Sequence, residues 1–408
     1  MADNKDKKVL NVPALRFPEF TEEWEEHYLA EYLDFKNGLN PSANKFGSGI
    51  KFISVMDILN NDFITYDCIR TSVEITPEEQ VAFAVEKGDM LFQRSSETLE
   101  DVGRANVYMD DRPAVFGGFV IRGKKKAEYN PMFFRYLLAS PYARKKVIPM
   151  GAGAQHFNIG QDGLSKVKLH FPILQEQQKI ADLLRLINER ISTQNKIIED
   201  LKKLKSAISK HLFARKDLLE TTICLSNIAT LKNGYAFQSS KYNALGKWKI
   251  LTITNVSGER YINDEDCNCI INLPNDIQDH QVLKEGDILI SLTGNVGRVS
   301  LCKNGDYLLN QRVGLLQLAK NVNQEFLYQI LSSQKFENSM IACGQGAAQM
   351  NIGKGDVESY VLPYSSNVNN ILLVAKILHS YDEYIINEQR KLTLLTMQKQ
   401  YFLAQMFI

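Results

Sequence analysis

The sequence predicts an α+β fold. An α/β domain followed by a long helix occurs twice in tandem, and the two helices form an antiparallel coiled coil. A glycine-rich decapeptide occurs as GAGAQHFNIG (Gly151–Gly160) and again as GQGAAQMNIG (Gly344–Gly353). Segments upstream of it also return in the same order. Each copy is then followed by a segment of helical periodicity. These three observations indicate a duplicated chain.

Two strand signals repeat upstream of the decapeptide. KFISVMDI (Lys51–Ile58) returns as KILTITNV (Lys249–Val256), and its alternating β-branched residues predict a strand. KGDMLF (Lys87–Phe92) returns as EGDILI (Glu285–Ile290), which predicts a Gly-Asp turn leading into a buried strand. The residues after each decapeptide (LSKVKLHFP and VESYVLP) also predict strand.

The segment between Gln175 and Phe213 contains no glycine or proline and carries a narrow apolar stripe with alternating spacings of three and four. The first stripe consists of Leu184, Ile187, Ile191, Ile198, Leu201, Ile208 and Leu212, and the second of Leu378, Tyr381, Ile385, Leu392, Leu395, Phe402 and Met406. Polar residues interrupt both stripes at matching places, namely Gln194, Lys205, Glu388 and Lys399. Such a stripe favours pairing of the two helices, with the polar positions helping to set register. The alternative is that each helix packs on its own globular domain.

These patterns predict globular domains at residues 1–174 and 216–363, and long helices at 175–215 and 364–408. A helix of 39 residues is about 58 Å long at 1.5 Å per residue. We therefore expect the helices to act as spacers between two similar globular modules.

Charge gives no general argument for a nucleic-acid partner, because the net charge is +1. Residues 1–174 carry 22 basic and 24 acidic side chains, and residues 216–363 carry 13 and 15. Binding to nucleic acid would therefore need locally segregated basic groups, or phosphate contacts from another subunit. The scattered cysteines and the charged start predict a cytoplasmic protein with reduced thiols. A zinc site at Cys267, Cys269, His280 and Cys302 is a weaker alternative, because it lacks zinc-finger spacing.

Motifs for catalysis are missing from the sequence. It has no G-x-x-x-x-G-K-[ST], and its six histidines form no H-E-x-x-H cluster. Asn130-Pro131-Met132-Phe133 weakly resembles an adenine-methyltransferase motif, but the second copy keeps only Asn323 and the aromatic residue. The shared asparagine instead predicts a helix N-cap. We expect no catalysis, no metal and no cofactor in this chain.

A duplicated binding module without chemistry of its own suits recognition of a two-part target. Glycine-rich loops with amide and basic side chains suit close approach to a sugar–phosphate backbone or to base edges. The candidate DNA-binding residues are Arg94, Arg104, Lys125, Gln155, His156 and Asn158 in the first copy, and Thr293, Asn295, Arg298, Arg312, Gln349 and Asn351 in the second. For Asn158 and Asn351, which both copies retain, capping of the loop backbone is the more ordinary interpretation.

The whole chain resembles the specificity subunit of type I restriction–modification enzymes. The resemblance lies in the opening LRFPEF (Leu15–Phe20) with Trp24, in FPILQEQQKI (Phe171–Ile180) before the first long helix, and in the closing QYFLAQMF. The second copy departs from this pattern, because YSSNVNNI follows Pro363.

The resemblance implies two target-recognition domains, each of which reads one half of an interrupted DNA site. It implies that the helices set the spacer and dock two DNA methylation subunits, and that two restriction/translocase subunits can join them. S-adenosylmethionine, ATP and magnesium would belong to those partners. Two other classes stay open on the residues alone: a coiled-coil tether that binds proteins or glycans, and an enzyme with an unrecognised site.

Overall fold

In a computed structural model that describes residues 10–344 and 350–408, the chain divides into two compact units. The first unit holds the chain up to Asn195 together with Lys391–Ile408, and the second unit is Lys196–Arg390. Each unit therefore contains the start of one long helix and the end of the other. None of the helices in the described residues is long and apolar enough to span a membrane.

The first half of the chain folds around an antiparallel four-stranded sheet of order β2-β9-β5-β7. A three-stranded sheet of order β4-β3-β8, with β3 and β8 parallel, lies beside it, and β1 pairs with β11. Its helices are α1 (Leu29–Tyr32), α2 (Val55–Asn60), α3 (Pro77–Ala82), α4 (Pro131–Ala139), α5 (Pro141–Val147), α6 (Gln161–Ser165) and α7 (Leu174–Ala214). Its strands are β1 (Glu25–Tyr28), β2 (Leu33–Asn37), β3 (Phe46–Ile53), β4 (Ser72–Val73), β5 (Met90–Gln93), β6 (Ser95–Ser96), β7 (Ala105–Val107), β8 (Val115–Phe116), β9 (Val120–Lys125), β10 (Phe157–Asn158) and β11 (Lys168–Phe171).

The second half repeats the three main sheets, and a single bridge between Thr293 and Asn351 stands in place of the β6–β10 pair. Its sheets have the orders β13-β19-β16-β17 and β15-β14-β18, with β14 and β18 parallel, and β12 pairs with β20. Its strands are β12 (Thr221–Cys224), β13 (Ala229–Asn233), β14 (Trp248–Leu251), β15 (Asn268–Ile270), β16 (Ile288–Ser291), β17 (Val299–Leu301), β18 (Tyr307–Leu309), β19 (Val313–Leu318) and β20 (Val361–Tyr364). Its helices are α8 (Gln324–Leu331), α9 (Gln334–Cys343), α10 (Lys354–Glu358) and α11 (Val368–Gln405). The predicted duplication is confirmed.

One central strand of each four-stranded sheet, β5 or β16, is buried along its whole length. In β5, Met90 and Phe92 join one apolar core, and Leu91 joins a second core on the other face of the sheet. In β16, Ile290 and Leu289 divide between two cores in the same way. A strand that is covered on both faces has a continuous run of apolar residues. The predicted turn and buried strand are therefore confirmed.

The two long helices run antiparallel within each unit. In the first unit, Ile187 of α7 shares a core with Met406 near the end of α11. In the second unit, Leu212 near the end of α7 shares a core with Leu378 of α11. Both cores also contain residues of the globular parts, such as Phe133 in the first. The predicted pairing is confirmed, and packing on the globular parts accompanies it.

Two strand predictions need correction. In KFISVMDI the strand ends at Ile53 and helix α2 follows, because Ser54 caps that helix and its backbone N–H donates to Asp57 Oδ2 at 2.7 Å. In the second copy, Thr252 N–H donates to Asn255 Oδ1 at 2.7 Å, just after β14 ends. After each decapeptide, a five-residue helix, α6 or α10, precedes the predicted strand. Capping side chains stop the strands where alternation alone would extend them.

The asparagines that start the repeated helix are N-caps, as predicted. Asn130 Oδ1 accepts from Phe133 N–H at 2.9 Å, and Asn323 Oδ1 accepts from Phe326 N–H at 2.8 Å. These contacts satisfy backbone donors that the first helical turn leaves unpaired. The matching caps fix where α4 and α8 begin.

The opening segment is anchored to the start of α7. Arg16 Nε and Nη2 each donate to the buried Glu176 carboxylate at 2.7 Å, and this contact raises the pKa of Arg16. Trp24 packs edge-on against Phe407, with 6.4 Å between ring centroids. Bidentate arginine–carboxylate pairs have strict geometry, so this pair orients the opening segment on the helix.

Candidate nucleic-acid interface

The first glycine-rich segment forms a small loop at one edge of the first unit. Ala152 and Asn158 exchange two backbone hydrogen bonds of 2.9 Å, and β10 pairs with β6. Gly153 has φ +146°, and a Cβ there would lie 2.0 Å from His156 O, so the tight loop requires glycine. Gln155 and His156 are exposed at its tip. The loop therefore presents an amide and an imidazole on a hydrogen-bonded frame.

Arg94 lies at the base of this loop. Its carbonyl accepts from Ile159 N–H at 2.9 Å, and its own N–H donates to Phe119 O at 2.9 Å. Arg94 Nη1 donates to Gly118 O at 3.3 Å. The structure thus brings Arg94 together with the loop residues, as an interface would require. Phe119, which is 68% exposed beside Arg94, is a further candidate that the sequence analysis missed.

Asn158 serves the loop itself. The Ser95 hydroxyl donates to Asn158 Oδ1, and Asn158 Nδ2 donates to His156 O at 3.4 Å. These contacts match the capping interpretation, in which a short polar side chain bonds to its own turn. Ser95 completes this arrangement, and no sequence pattern had indicated it.

Lys125 lies away from the loop, whereas Arg104 lies at the Arg94 end of β5, where its carbonyl accepts from Gln93 N–H at 2.7 Å. In the antiparallel register of β5 and β9, Met90 pairs with Gly123 and Gln93 pairs with Val120. Lys125 therefore lies beyond one end of β5 and Arg94 beyond the other. Lys125 Nζ is 3.3 Å from Glu128, whereas Arg104 Nη2 is 2.6 Å from Asp101 and lines a separate recess. The structure does not bring Lys125 to the loop.

The second unit repeats this edge with different side chains. Thr293 pairs with Asn351 where β6 pairs with β10 in the first unit. Leu292 N–H donates to Arg312 O at 3.0 Å and Leu292 O accepts from Ile352 N–H at 2.9 Å, as Arg94 does in the first copy. Thr293, Asn351 and the exposed Arg312 therefore lie together. Gln349 lies outside the described residues.

The remaining two candidates flank a glycine turn. Gly294 and Gly297 adopt φ +71° and +79°, and Asn295 is exposed between them. Arg298 Nε is held at 3.4 Å by Glu337 of α9. Asn295 is accessible at this edge, whereas Arg298 is held by a helix carboxylate. In the described residues no group of three or more His, Cys, Asp or Glu side chains could hold a metal ion.

Two copies of one α+β domain, each with the same backbone pairing at the edge beside its glycine-rich segment, define a tandem recognition protein. The family described as the type I restriction modification DNA specificity domain matches residues 21–203 and 220–397. The chain belongs to this family. It is a targeting subunit that recognises DNA sequence, and its two recognition domains fit a site of two parts.

Relatives match along most of the chain. A protein of Methanocaldococcus jannaschii, provisionally named the type I restriction enzyme MjaX specificity subunit, is 24% identical over 400 residues, which cover 93% of this chain and 91% of the relative. The MjaVIII specificity subunit of the same archaeon is 23% identical, with 82% of this chain and 80% of the relative covered. The crystal structure of the type I S subunit from M. genitalium has a TM-score of 0.57 at 16% identity and covers 97% of this chain and 99% of that one. At that identity, the structural match shows the fold alone.

Proposed function

We propose that each globular part reads one half of an interrupted DNA site through the loop edge described above. The observation that carries this proposal is the pairing of Ser95 with Asn158 in one copy and of Thr293 with Asn351 in the other. The same backbone pairing thus holds different side chains in the two copies. An asymmetric site of two parts requires two similar domains whose base-reading side chains differ.

The side chains at these edges have the chemistry of base recognition. Arginine donates to guanine O6 and N7, and amide side chains bond adenine N6 and N7. Arg94, Gln155 and His156 would serve one half-site, and Arg312 and Asn295 the other. Backbone hydrogen bonds hold the first loop and, in the second copy, the described residues Met350–Ile352, so the groups on this frame need little reordering when they meet DNA.

The long helices would set the distance between half-sites and dock two methylation subunits. Exposed apolar side chains on both helices support docking, because such residues mark interaction surfaces. They include Leu186, Ile197, Leu204, Leu372, Tyr384, Leu394 and Met397. Two restriction/translocase subunits would complete the assembly. S-adenosylmethionine, ATP and magnesium would act in these partners.

The test is to co-express the chain with its methylation subunit and measure methylation of DNA duplexes that differ by one base. We expect a site of two fixed parts separated by bases that do not matter. Methylation without any sequence preference would contradict the proposal. Stable binding to proteins or glycans alone would favour the tether alternative.

A further inference from the structure

A recess of about 390 Å³ lies in the first unit, beside α4, α5 and the end of α11. Four cationic side chains line it: Arg104, Arg135, Arg144 and Lys399. The buried Asn188 of α7 also lines it and donates to Tyr136 Oη at 3.1 Å. Because Arg104 is paired with Asp101 at 2.6 Å, the excess positive charge of this surface comes from Arg135, Arg144 and Lys399.

Arg144 and Lys399 form no ion pair with a carboxylate in the described residues. Arg144 Nη2 donates to the backbone carbonyls of Glu100 at 2.8 Å and Val102 at 2.7 Å, and its buried Nη1 has no hydrogen-bond partner in the described residues. The carboxylate that acts on Lys399 is that of Asp62. Burial lowers the pKa of Arg144 to about 10, and the nearby Arg104 adds to this shift.

Arg135 also forms no ion pair in the described residues. Its Nε donates to Asp62 O at 3.2 Å and to Asn106 Oδ1 at 3.1 Å, both of them neutral acceptors. Burial lowers the pKa of Lys399, an effect that Asp62 opposes and Arg135 reinforces. Asp62 and Glu100 are the acidic side chains on the recess, and both are exposed to solvent. Cations that are both buried and close together favour a bound anion.

At the corresponding place in the second unit, carboxylates of the chain itself neutralise the cationic side chains. There, Asp382 Oδ1 lies 2.6 Å from Lys205 Nζ, and Asp382 Oδ2 lies 2.9 Å from Arg260 Nη1. Glu325 Oε2 lies 2.6 Å from Arg260 Nη2. Two carboxylates therefore satisfy the cations of this cluster.

The repeat places neutral residues at both carboxylate positions of the first unit. Lys399 is the counterpart of Lys205, and Asn188 is the counterpart of Asp382. Within the repeated helix, Met132 occupies the place of Glu325. The first copy thus keeps the lysine and lacks the counterpart of Asp382, the carboxylate that pairs with the lysine in the second copy.

We propose that this recess binds a phosphate group of the DNA backbone next to the half-site read by the first domain. The inference rests on the proposed function for its DNA source, and on the unneutralised cations for its chemistry. Arginine forks and a lysine ammonium are the usual protein ligands of phosphate. Because these carboxylates are missing, one phosphate group could balance the positive charge of the recess.

The position of the recess favours DNA over a free anion. Ile148 lines the recess, and its carbonyl accepts from Gly151 N–H at 3.0 Å, at the first residue of the glycine-rich loop. A DNA strand read by Gln155 and His156 at the tip of that loop would pass close to this cationic surface. Phosphate contacts of this kind fix a protein's position on the duplex while bases are read elsewhere.

The decisive variant is Asn188→Asp in the full chain bound to its methylation subunit. Aspartate has the shape of asparagine, keeps a hydrogen bond with the Tyr136 hydroxyl, and places a carboxylate where Asp382 neutralises the second unit. We expect weaker DNA binding and a plot of log affinity against log salt that is shallower by about one phosphate, a slope change of roughly 0.9. Lys399→Gln should give the same slope change by removing the cation.

Matched controls separate this effect from general charge. Asn195→Asp adds the same charge at an exposed position of the same helix, and Lys203→Gln removes a lysine that is exposed and paired with Glu199. Both should keep the wild-type slope. Circular dichroism checks folding, and Asn188→Asp decides the question if Lys399→Gln does not fold.

Inorganic phosphate distinguishes the sources of the anion. At constant ionic strength, phosphate should raise the unfolding temperature of the wild-type complex and have no such effect on Asn188→Asp. Stabilisation by phosphate with an unchanged DNA salt slope would show a free-anion site and overturn the assignment to DNA. Loss of the methylation subunit from Asn188→Asp with unchanged DNA affinity would show an acidic partner segment instead. Sequence-independent DNA binding with the expected slope change would contradict the proposed function while supporting this site.

Discussion

Lys205 of α7 and Asp382 of α11 form an ion pair across the helix pair of the second unit, with 2.6 Å between Nζ and Oδ1. The same aspartate contacts Arg260, whose side chain is 7% exposed. The sequence pattern predicts that the polar residue Lys205 helps to set the register of the two helices. The structure adds that its partner also neutralises a cation of the globular part, so one carboxylate links the helices to the recognition domain.

Removing this carboxylate should destabilise the second unit. Asp382→Ala leaves Arg260 and Lys205 with less countercharge, and such a change at a buried pair costs about 3–5 kcal/mol. Urea unfolding of the assembled complex measures it. Glu199→Ala breaks the exposed pair with Lys203 and should cost less than about 1 kcal/mol. Equal effects of the two variants would contradict a structural role for Asp382.

Substitutions in the first loop should change the specificity of one half-site only. Arg94→Ala or His156→Ala should weaken recognition of that half by about 1–3 kcal/mol if the side chain contacts a base edge. Methylation rates on duplexes with single changed bases measure this effect. Lys125→Ala is the control: Lys125 lies at the other end of β5, so base preference should stay unchanged, and any loss of affinity should be even across sequences. Relaxed specificity in both halves would rule out separate reading modules.

Substitutions at the second edge should affect the other half-site. Thr293→Ala, Arg312→Ala and Gln349→Ala should each relax recognition there and leave the first half-site unchanged, because these residues belong to the second copy. The same panel of duplexes provides the measurement. If no substitution at either edge changed base preference, these residues would not be the reading groups.

The spacing of the site should follow the length of the helices. Inserting four residues between Ile191 and Lys205 adds about 6 Å of helix, or roughly two base pairs at 3.4 Å each. We expect methylation of a site whose spacer is longer by that amount and whose half-sites are unchanged. A substitution of four surface residues in the same stretch is the control. Methylation at the original spacing would show that the helices do not set it.

Acid should weaken the attachment of α11 through Glu220. Hydrogen bonds from Ser365 and Ser366 lower the pKa of Glu220 to about 2, below its usual value of 4.5. Because the folded pKa is depressed, this contribution is complete above pH 4.5 and is lost as the pH falls towards 2. Glu220→Gln should therefore flatten the pH dependence of stability in that window. An unchanged profile would show that the contact contributes nothing.

The sequence by itself determined the duplication, the long helices and the helix starts. Apolar spacing and capping asparagines such as Asn130 act over a few residues, so they can be read along the chain. It also indicated the loop that carries His156. The strand predicted from the sequence wrongly continued through Ser54, because an alternating pattern does not show where a side chain will cap a helix.

Only the tertiary structure decided which distant residues meet. Arg94 and Asn158 share an edge, whereas Lys125 lies at the opposite end of the sheet, because strand register places them there. The recess joins Arg135 and Lys399 from segments far apart in sequence, and its charge follows from carboxylates present in one copy and absent from the other. Long-range packing creates these contacts, and no local pattern in the chain encodes them.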